Sequence, residues 1–399
     1  MNSRPLRIIY VSPRQAWPPS SGGKLRDYYL ARVLGDHADL TYVFYAQPGA
    51  PAMEFPLRGR IVSVPAPRRY SPVKVARGLM GRWPLTILNY TSREMVETLR
   101  RLLREQDIDL LHVDSLNLAG CIHELSDALG NVPVIYNWHN IDSELLTRYA
   151  EHSRFIRKAY ASVTAARLRD LETNLLQHAC GHLVCSKREQ KALQQRAPSA
   201  RVEVIENGVD IAAFADTGLS RAPRHRVIFV GSMDYHPNVD AALYFAREIW
   251  PQLQSRLPQW KLTLVGSRPG PEISALAMDP SIEVTGTVPD VRPFYREAAA
   301  AVVPLRIGGG TRLKILEAMA AGVPVISTTL GAEGLEVHPG RNILIAHTEA
   351  EWDAALRMIR DEDRWRQFST EGRAFVAPQY DWETIGKRLL DLYSGWIRI

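Results

Sequence analysis

Short apolar runs alternate with helical patterns along the first half of the chain, and this alternation limits the fold more than any other feature. The runs cover residues 6–12, 40–44, 60–64, 110–113, 132–136, 182–185 and 202–205. Runs this short and this apolar are expected for strands covered on both faces, as in a parallel sheet. Helical patterns fall between them, the longest near residues 154–178. The order predicts a doubly wound α/β layer with helices on both faces.

The pattern breaks over residues 212–225, where Asp216, Gly218, Ser220, Pro223 and Arg224 give linker composition. A second series of apolar runs follows, at residues 226–231, 261–265, 282–285, 300–303, 323–327 and 343–345. Two Rossmann-like domains are therefore expected, over residues 1–215 and 226–380, with a ligand cleft between them. A last helical pattern in residues 381–399 is expected to pack back across the first domain. A length of 399 residues suits two cores better than one.

The composition, 46% hydrophobic and 23% charged, is that of a soluble globular protein. Residues 8–11 form too brief an apolar run for a signal peptide, and no stretch has transmembrane length, so a cytoplasmic location is expected. Cys121, Cys180 and Cys185 read as reduced core thiols. His178 and His182 flank Cys180 without the spacing of a metal site, and no metal is expected.

Charge is spread unevenly. Between Leu57 and Arg104 eleven arginines and lysines face two glutamates, Glu94 and Glu97. Val73, Val75, Leu79, Met80 and Trp83 are interleaved there with Lys74, Arg77 and Arg82. Two readings stand: a segment lying on an anionic membrane surface, and a solvated helix whose apolar residues fill the core. Base readout of nucleic acid fits the mixture less well.

Residues 305–326 carry the most chemistry. An apolar strand runs into Gly308, Gly309 and Gly310, whose backbones can turn tightly and approach a ligand. Thr311 then stands where a helix N-cap belongs, and the first helical amides form a site for an anion. Arg312 and Lys314 put cations at the helix end that least favours them, which points to an anionic ligand. Glu317 lies further along, where its carboxylate can accept from two neighbouring ribose hydroxyls. A solvated helix start with a surface glutamate accounts for the local pattern equally well.

Taken in order, five segments make the chain resemble a two-domain GT-B glycosyltransferase of the retaining family 4. They are Ser21-Gly22-Gly23, His139, Glu206-Asn207-Gly208-Val209-Asp210, Gly286-Thr287-Val288-Pro289-Asp290, and the run from Leu316 to Val325. The resemblance covers nearly the whole chain and implies a role for each segment. Gly22 and Gly23 would form a loop facing the donor phosphate. His139 would sit near the donor sugar, Val288 and Gly308 to Thr311 against the donor, and Glu317 on the ribose. The turn from Asn207 to Asp210 is expected to mark the domain boundary rather than to act in catalysis.

The chain departs from the family pattern twice. Gly309 stands where relatives commonly carry a glutamate, eight residues before Glu317. Ser232 and Pro237 stand where many carry an arginine and a lysine on the diphosphate. Arg312, Lys314 and Arg306 are the cations available to replace those two.

The resemblance implies sugar transfer from a nucleotide-diphosphate sugar of UDP or GDP type, by metal-independent front-face substitution, with no cofactor. His139, Lys314 and Arg312 would be the catalytic residues. The acceptor, a saccharide or a lipid-linked sugar, is expected near Lys24, Arg77, Arg82 and Trp83, in cell-surface polysaccharide or glycolipid assembly on the inner membrane face. Natural-product glycosylation with a soluble acceptor, nucleotide-sugar epimerisation and non-catalytic nucleotide-sugar binding are the competing expectations.

Overall fold

A computed structural model describes residues 4–19, 21–46, 55–151, 154–215, 225–308 and 313–397. Its contacts divide the chain into two compact units, one of residues 1–206 with 385–399 and the other of residues 207–384.

The first unit holds strands β1 (Arg7–Ser12), β2 (Asp39–Ala46), β3 (Arg60–Pro65), β4 (Leu110–Asp114), β5 (Val134–Asn137), β6 (Gly181–Val184) and β7 (Val202–Val204). They form one parallel sheet in the order β3-β2-β1-β4-β5-β6-β7. Each lies on an apolar run read from the sequence. β1 and β4, at the centre, are almost wholly buried, as strands covered on both faces must be. The helix Arg93–Glu105 shows the capping logic: Ser92 accepts from the Met95 amide at 3.2 Å, while Met95, Val96, Leu99 and Leu102 form its buried stripe.

The second unit holds β8 (Arg226–Val230), β9 (Lys261–Val265), β10 (Ile282–Gly286), β11 (Ala300–Val303), β12 (Val325–Ser327) and β13 (Leu344–Ile345). They too form a parallel sheet, in the order β10-β9-β8-β11-β12-β13. Both sheets are doubly wound: chain order runs outward on one side of the first strand and then reverses to the other.

Residues 212–215, expected to open a linker, are instead part of the helix Ile211–Ala215. Asp210 accepts from the Ala213 amide at 3.1 Å, and Phe214 is buried with its ring 5.9 Å from that of Tyr295. Burying Phe214 ties this stretch, placed with the first domain by the sequence reading, to the second core. Residues 216–224 of the expected linker lie outside the described residues.

The last helix, Trp382–Ile397, begins in the second unit and continues into the first from Ile385. Ile385, Leu389 and Tyr393 on it are fully buried. Gly386 approaches Val33 so closely that a Cβ would stand 2.3 Å from Val33 Cγ1. Tyr393 reaches the sheet and hydrogen-bonds His112 Nδ1. Among the described residues, no helix is long and apolar enough to cross a membrane.

Candidate active site

Ligands of doubly wound sheets collect outside the carboxyl ends of the strands where the order reverses. In the first unit that place lies between β1 and β4. β1 ends on Ser12, β4 on Asp114 and β5 on Asn137, all three fully buried. His139 follows β5, its Nε2 3.0 Å from each carboxylate oxygen of Asp114. Asp114 Oδ1 also accepts from Asn137 Nδ2 at 2.7 Å and from the Tyr10 hydroxyl at 3.2 Å. Asn137 Oδ1 in turn accepts from Arg26 Nε and Nη2 at 3.1 and 2.7 Å, which fixes the amide's orientation.

Burial alone would raise the Asp114 carboxyl, but His139 and Arg14 outweigh it and hold the group well below the usual carboxylate range. Burial pushes His139 down, against the pull of Asp114, and Arg14 and Arg26 add to the lowering. An ionised Asp114 can only accept, so a neutral His139 carries its proton on Nε2 and offers the Nδ1 lone pair. Nearby, Asp27 accepts from Ser12 Oγ at 2.5 Å and from the Tyr42 hydroxyl at 2.9 Å. Burial first, and then the charge of Asp114, raises its pKa far above the ordinary value. The two buried acids thus shift in opposite directions.

Gly22 and Gly23, expected as a loop, form the first turn of the helix Gly22–His37, with Ser21 as its N-cap residue. Its first bond runs from the Leu25 amide to the Ser21 carbonyl at 2.8 Å, leaving the amides of Gly22, Gly23 and Lys24 without an intrahelical acceptor. A Cβ on Gly23 would stand 2.6 Å from Arg14 Nη1 and 3.8 Å from His139 Nδ1. Burial works against the Arg14 charge, yet Asp114 and Asp27 overcome it and raise its pKa. Burial and Arg14 together lower Lys24. Helix amides, the Arg14 guanidinium and the His139 imidazole therefore share one end of this sheet. Such an arrangement can hold an anion beside a hydroxyl donor.

In the second unit the order reverses between β8 and β11. The helix Leu313–Ala320 follows β11 and carries Lys314 to the end of β8. Lys314 Nζ donates to Asn238 Oδ1 at 2.7 Å and lies 4.3 Å from the centre of the Phe229 ring. It is also 3.1 Å from where a Cβ on Gly231 would be. Asn238 Nδ2 donates to the Ser232 carbonyl at 2.9 Å, which locks the amide that holds the lysine. A Cβ on Gly266, after β9, would meet the Gly231 carbonyl oxygen at 1.7 Å, so the two backbones meet here. Glu317 lies one turn beyond Lys314, half-buried, and accepts from the Tyr295 hydroxyl at 3.3 Å. Burial raises its carboxyl to about 7, with Tyr295 and Lys314 opposing.

Of the other expected site residues, Gly308 has φ 109°, a backbone that favours glycine. Val288 is half-buried in the loop after β10, beyond Gly286 at φ 68°. Gly309, Gly310, Thr311 and Arg312 lie outside the described residues. Arg306 is not available as a phosphate cation. Its guanidinium pairs with both carboxylate oxygens of Asp240 at 3.2 and 2.8 Å, lies 3.8 Å from Glu248 and covers the Tyr244 ring. Arg77 and Arg82 are exposed, whereas Trp83 tilts against His123 at 5.4 Å and packs on the core. Among the described residues, no cluster of His, Cys, Asp or Glu could hold a metal ion. His182, beside Cys180, accepts from Trp138 Nε1 at 3.1 Å instead.

Sequence reasoning passed over Arg14, Asp27, Asp114, Asn137, Asn238 and Tyr295. The signal that could have found Asp114 and Asn137 is their position, each a polar residue closing an apolar run.

The model described as Glycosyltransferase Family 4 matches residues 28–213, and that described as Glycosyl transferases group 1 matches residues 224–361. A phosphatidyl-myo-inositol mannosyltransferase of Mycolicibacterium smegmatis is 26% identical over 304 residues, 74% of this chain and 73% of that protein. A GDP-mannose:cellobiosyl-diphosphopolyprenol alpha-mannosyltransferase of Xanthomonas campestris is 27% identical over half of this chain and 54% of its own length. Among solved structures, sucrose-phosphate synthase from Thermosynechococcus elongatus superposes with a TM-score of 0.73 over 98% of this chain and 99% of that one. At 17% identity that likeness speaks for the fold alone.

Proposed function

The chain belongs to glycosyltransferase family 4, the glycosyl transferases group 1, with the Rossmann-like parallel-sheet domains of the GT-B fold, and on that premise we propose a retaining, metal-independent reaction. The donor is a nucleotide-diphosphate sugar of UDP or GDP type, and the acceptor a hydroxyl of a saccharide or lipid-linked sugar. The observation that carries this reading is the placing of Lys314 and Glu317 one turn apart on the helix at the β8–β11 reversal. A cation against the strand end suits a diphosphate, and a carboxylate one turn on suits a ribose.

In this mechanism the acceptor hydroxyl attacks the anomeric carbon from the face that the nucleotide diphosphate leaves. A donor phosphate oxygen takes the acceptor proton. Catalysis is then mainly positioning, together with neutralisation of charge growing on the departing phosphate. Lys314 and Arg312 are assigned that neutralisation, replacing the cations missing at Ser232 and Pro237. His139, held by Asp114, presents Nδ1 to a hydroxyl of the donor sugar. Gly22 and Gly23 offer helix amides to the phosphate, and Gly308 to Thr311 and Val288 line the donor. The acceptor class is supported by the substrates that give the two similar mannosyltransferases their names, one a phosphatidylinositol and the other a diphosphopolyprenol sugar. A role in cell-surface glycolipid or polysaccharide assembly follows, at the inner face of the membrane.

Proton NMR of the transfer reaction, run in EDTA, tests the mechanism. The new glycosidic bond is expected to keep the donor's anomeric configuration, and Lys314→Ala is expected to lose donor binding. Inversion, dependence on added metal, or unchanged donor affinity in Lys314→Ala would each overturn the corresponding part.

A further inference from the structure

The long helix Phe155–His178 leaves apolar side chains in water along one side. Ile156, Tyr160 and Val163 are 85%, 42% and 51% exposed, and Phe155 at the helix start is 89% exposed. Ile156, Tyr160, Val163 and Arg167 follow one another at steps of four, three and four, which sets them on one helical face. Arg167 closes that stripe by donating to the carbonyls of Gly78 and Leu79 at 2.7 and 3.0 Å. The stripe thus runs up to the carboxyl end of the helix Pro72–Met80, where Leu79 and Met80 are 55% and 82% exposed. Val73, on the same short helix, is 61% exposed. Soluble domains seldom leave so many large apolar side chains together without a partner for them.

The charges near the start of this face are mostly positive, and the first acid along the stripe is Asp170, beyond Arg167. From residue 154 to residue 169 the chain carries Arg154, Arg157, Lys158, Arg167 and Arg169 and no acid. Arg77 and Arg82 add to the same sign beside Leu79 and Met80. Protruding apolar residues ringed by cations complement a surface that is anionic outside and apolar beneath.

We propose that these two helices form a docking face for an anionic lipid bilayer, with Phe155, Ile156 and Met80 entering the acyl boundary and the arginines and Lys158 on the headgroups. The face deepens the lipid-linked acceptor reading and rests on it for its purpose, because docking would hold the enzyme where such an acceptor resides. Binding to the bilayer itself needs neither donor nor acceptor.

Flotation of the full chain with phosphatidylcholine vesicles, with and without phosphatidylglycerol, tests the proposal. The protein is expected to float with the anionic vesicles alone and to be released in part by high salt. The paired substitutions Phe155→Ser and Ile156→Ser, and separately Arg154→Glu with Lys158→Glu, are expected to weaken partitioning by about tenfold or more. Phe155→Leu should retain it. Because the altered side chains are exposed, unchanged melting temperatures are expected for all variants. The proposal is overturned if the wild type stays out of the floated fraction, or if the serine and glutamate variants float as it does. It is equally overturned if sedimentation shows a dimer that the serine variant dissolves, which would make the face a contact between copies. A nucleotide-binding assay run beside flotation separates the two readings: docking without donor binding would sink the transferase reading, and donor binding without flotation would sink the docking face.

Discussion

Burial raises the Glu317 carboxyl to about 7 in the free protein, and hydroxyls donating to it from a ribose would draw that value down. Donor binding should then release a proton near pH 6.5. The affinity should rise with pH up to about 7 and level off above it, since only the ionised form accepts from both hydroxyls. Calorimetry in buffers of different ionisation heat measures the proton, and Glu317→Gln should remove both the release and the pH dependence. On the first domain, Asp114 fixes which ring nitrogen of His139 keeps the proton, and under the proposed mechanism it would act on the reaction in that way. Asp114→Asn is expected to lower transfer by roughly ten- to a hundredfold with little change in nucleotide affinity. A large loss of nucleotide binding in that variant would instead make Asp114 part of the donor site.

At the scale of elements, the close meeting of the loops after β8 and β9 depends on Gly266. A methyl group there would collide with the Gly231 backbone rather than with a flexible side chain. Gly266→Ala should therefore cost about 1–3 kcal/mol in denaturant melts and shift the Lys314–Asn238 pair, weakening donor binding. The central strands were legible from the sequence because each is a short buried run, and burial on both faces leaves an unbroken apolar signature. The helix Ile211–Ala215 was not, because what makes it is the burial of Phe214 against Tyr295, a long-range contact with no local pattern. Glu317 and Lys314 could be read from helical spacing and charge. The Asp114–His139 pair could not be read as a pair, because Asp114 ends β4 and His139 follows β5, 25 residues on, and only the pairing of β4 with β5 brings them together. Arg306 misled for the converse reason: its charge was visible in the sequence, whereas Asp240 and Glu248 become its partners only on folding.

On the scale of the whole molecule, the chain holds two cores, and the first is closed by its own last helix. Tyr393 of that helix meets His112 inside the sheet, where burial pushes the imidazole down to about 3 and its Nε2 has no hydrogen-bond partner among the described residues. The folded value lies below the unfolded 6.5, so the unfolded chain binds the extra proton first. The stability that this group contributes is fully present above pH 6.5 and is lost as pH falls toward about 3. Melts of the first unit across that window should show the decline, and His112→Gln should flatten it. No change of slope in the variant would assign the acid sensitivity to other groups.

The measurement that bears most directly on the central claim is a thermal-shift panel of UDP, GDP, ADP and their sugar conjugates, run on the wild type and on Glu317→Ala. A ligand far above its dissociation constant should stabilise the fold by a few kcal/mol. One nucleotide family raising the melting temperature, with the rise diminished in Glu317→Ala, is the predicted result. No shift with any nucleotide at millimolar concentration, or an equal shift in the mutant, would contradict the assignment of this helix to a nucleotide-sugar donor.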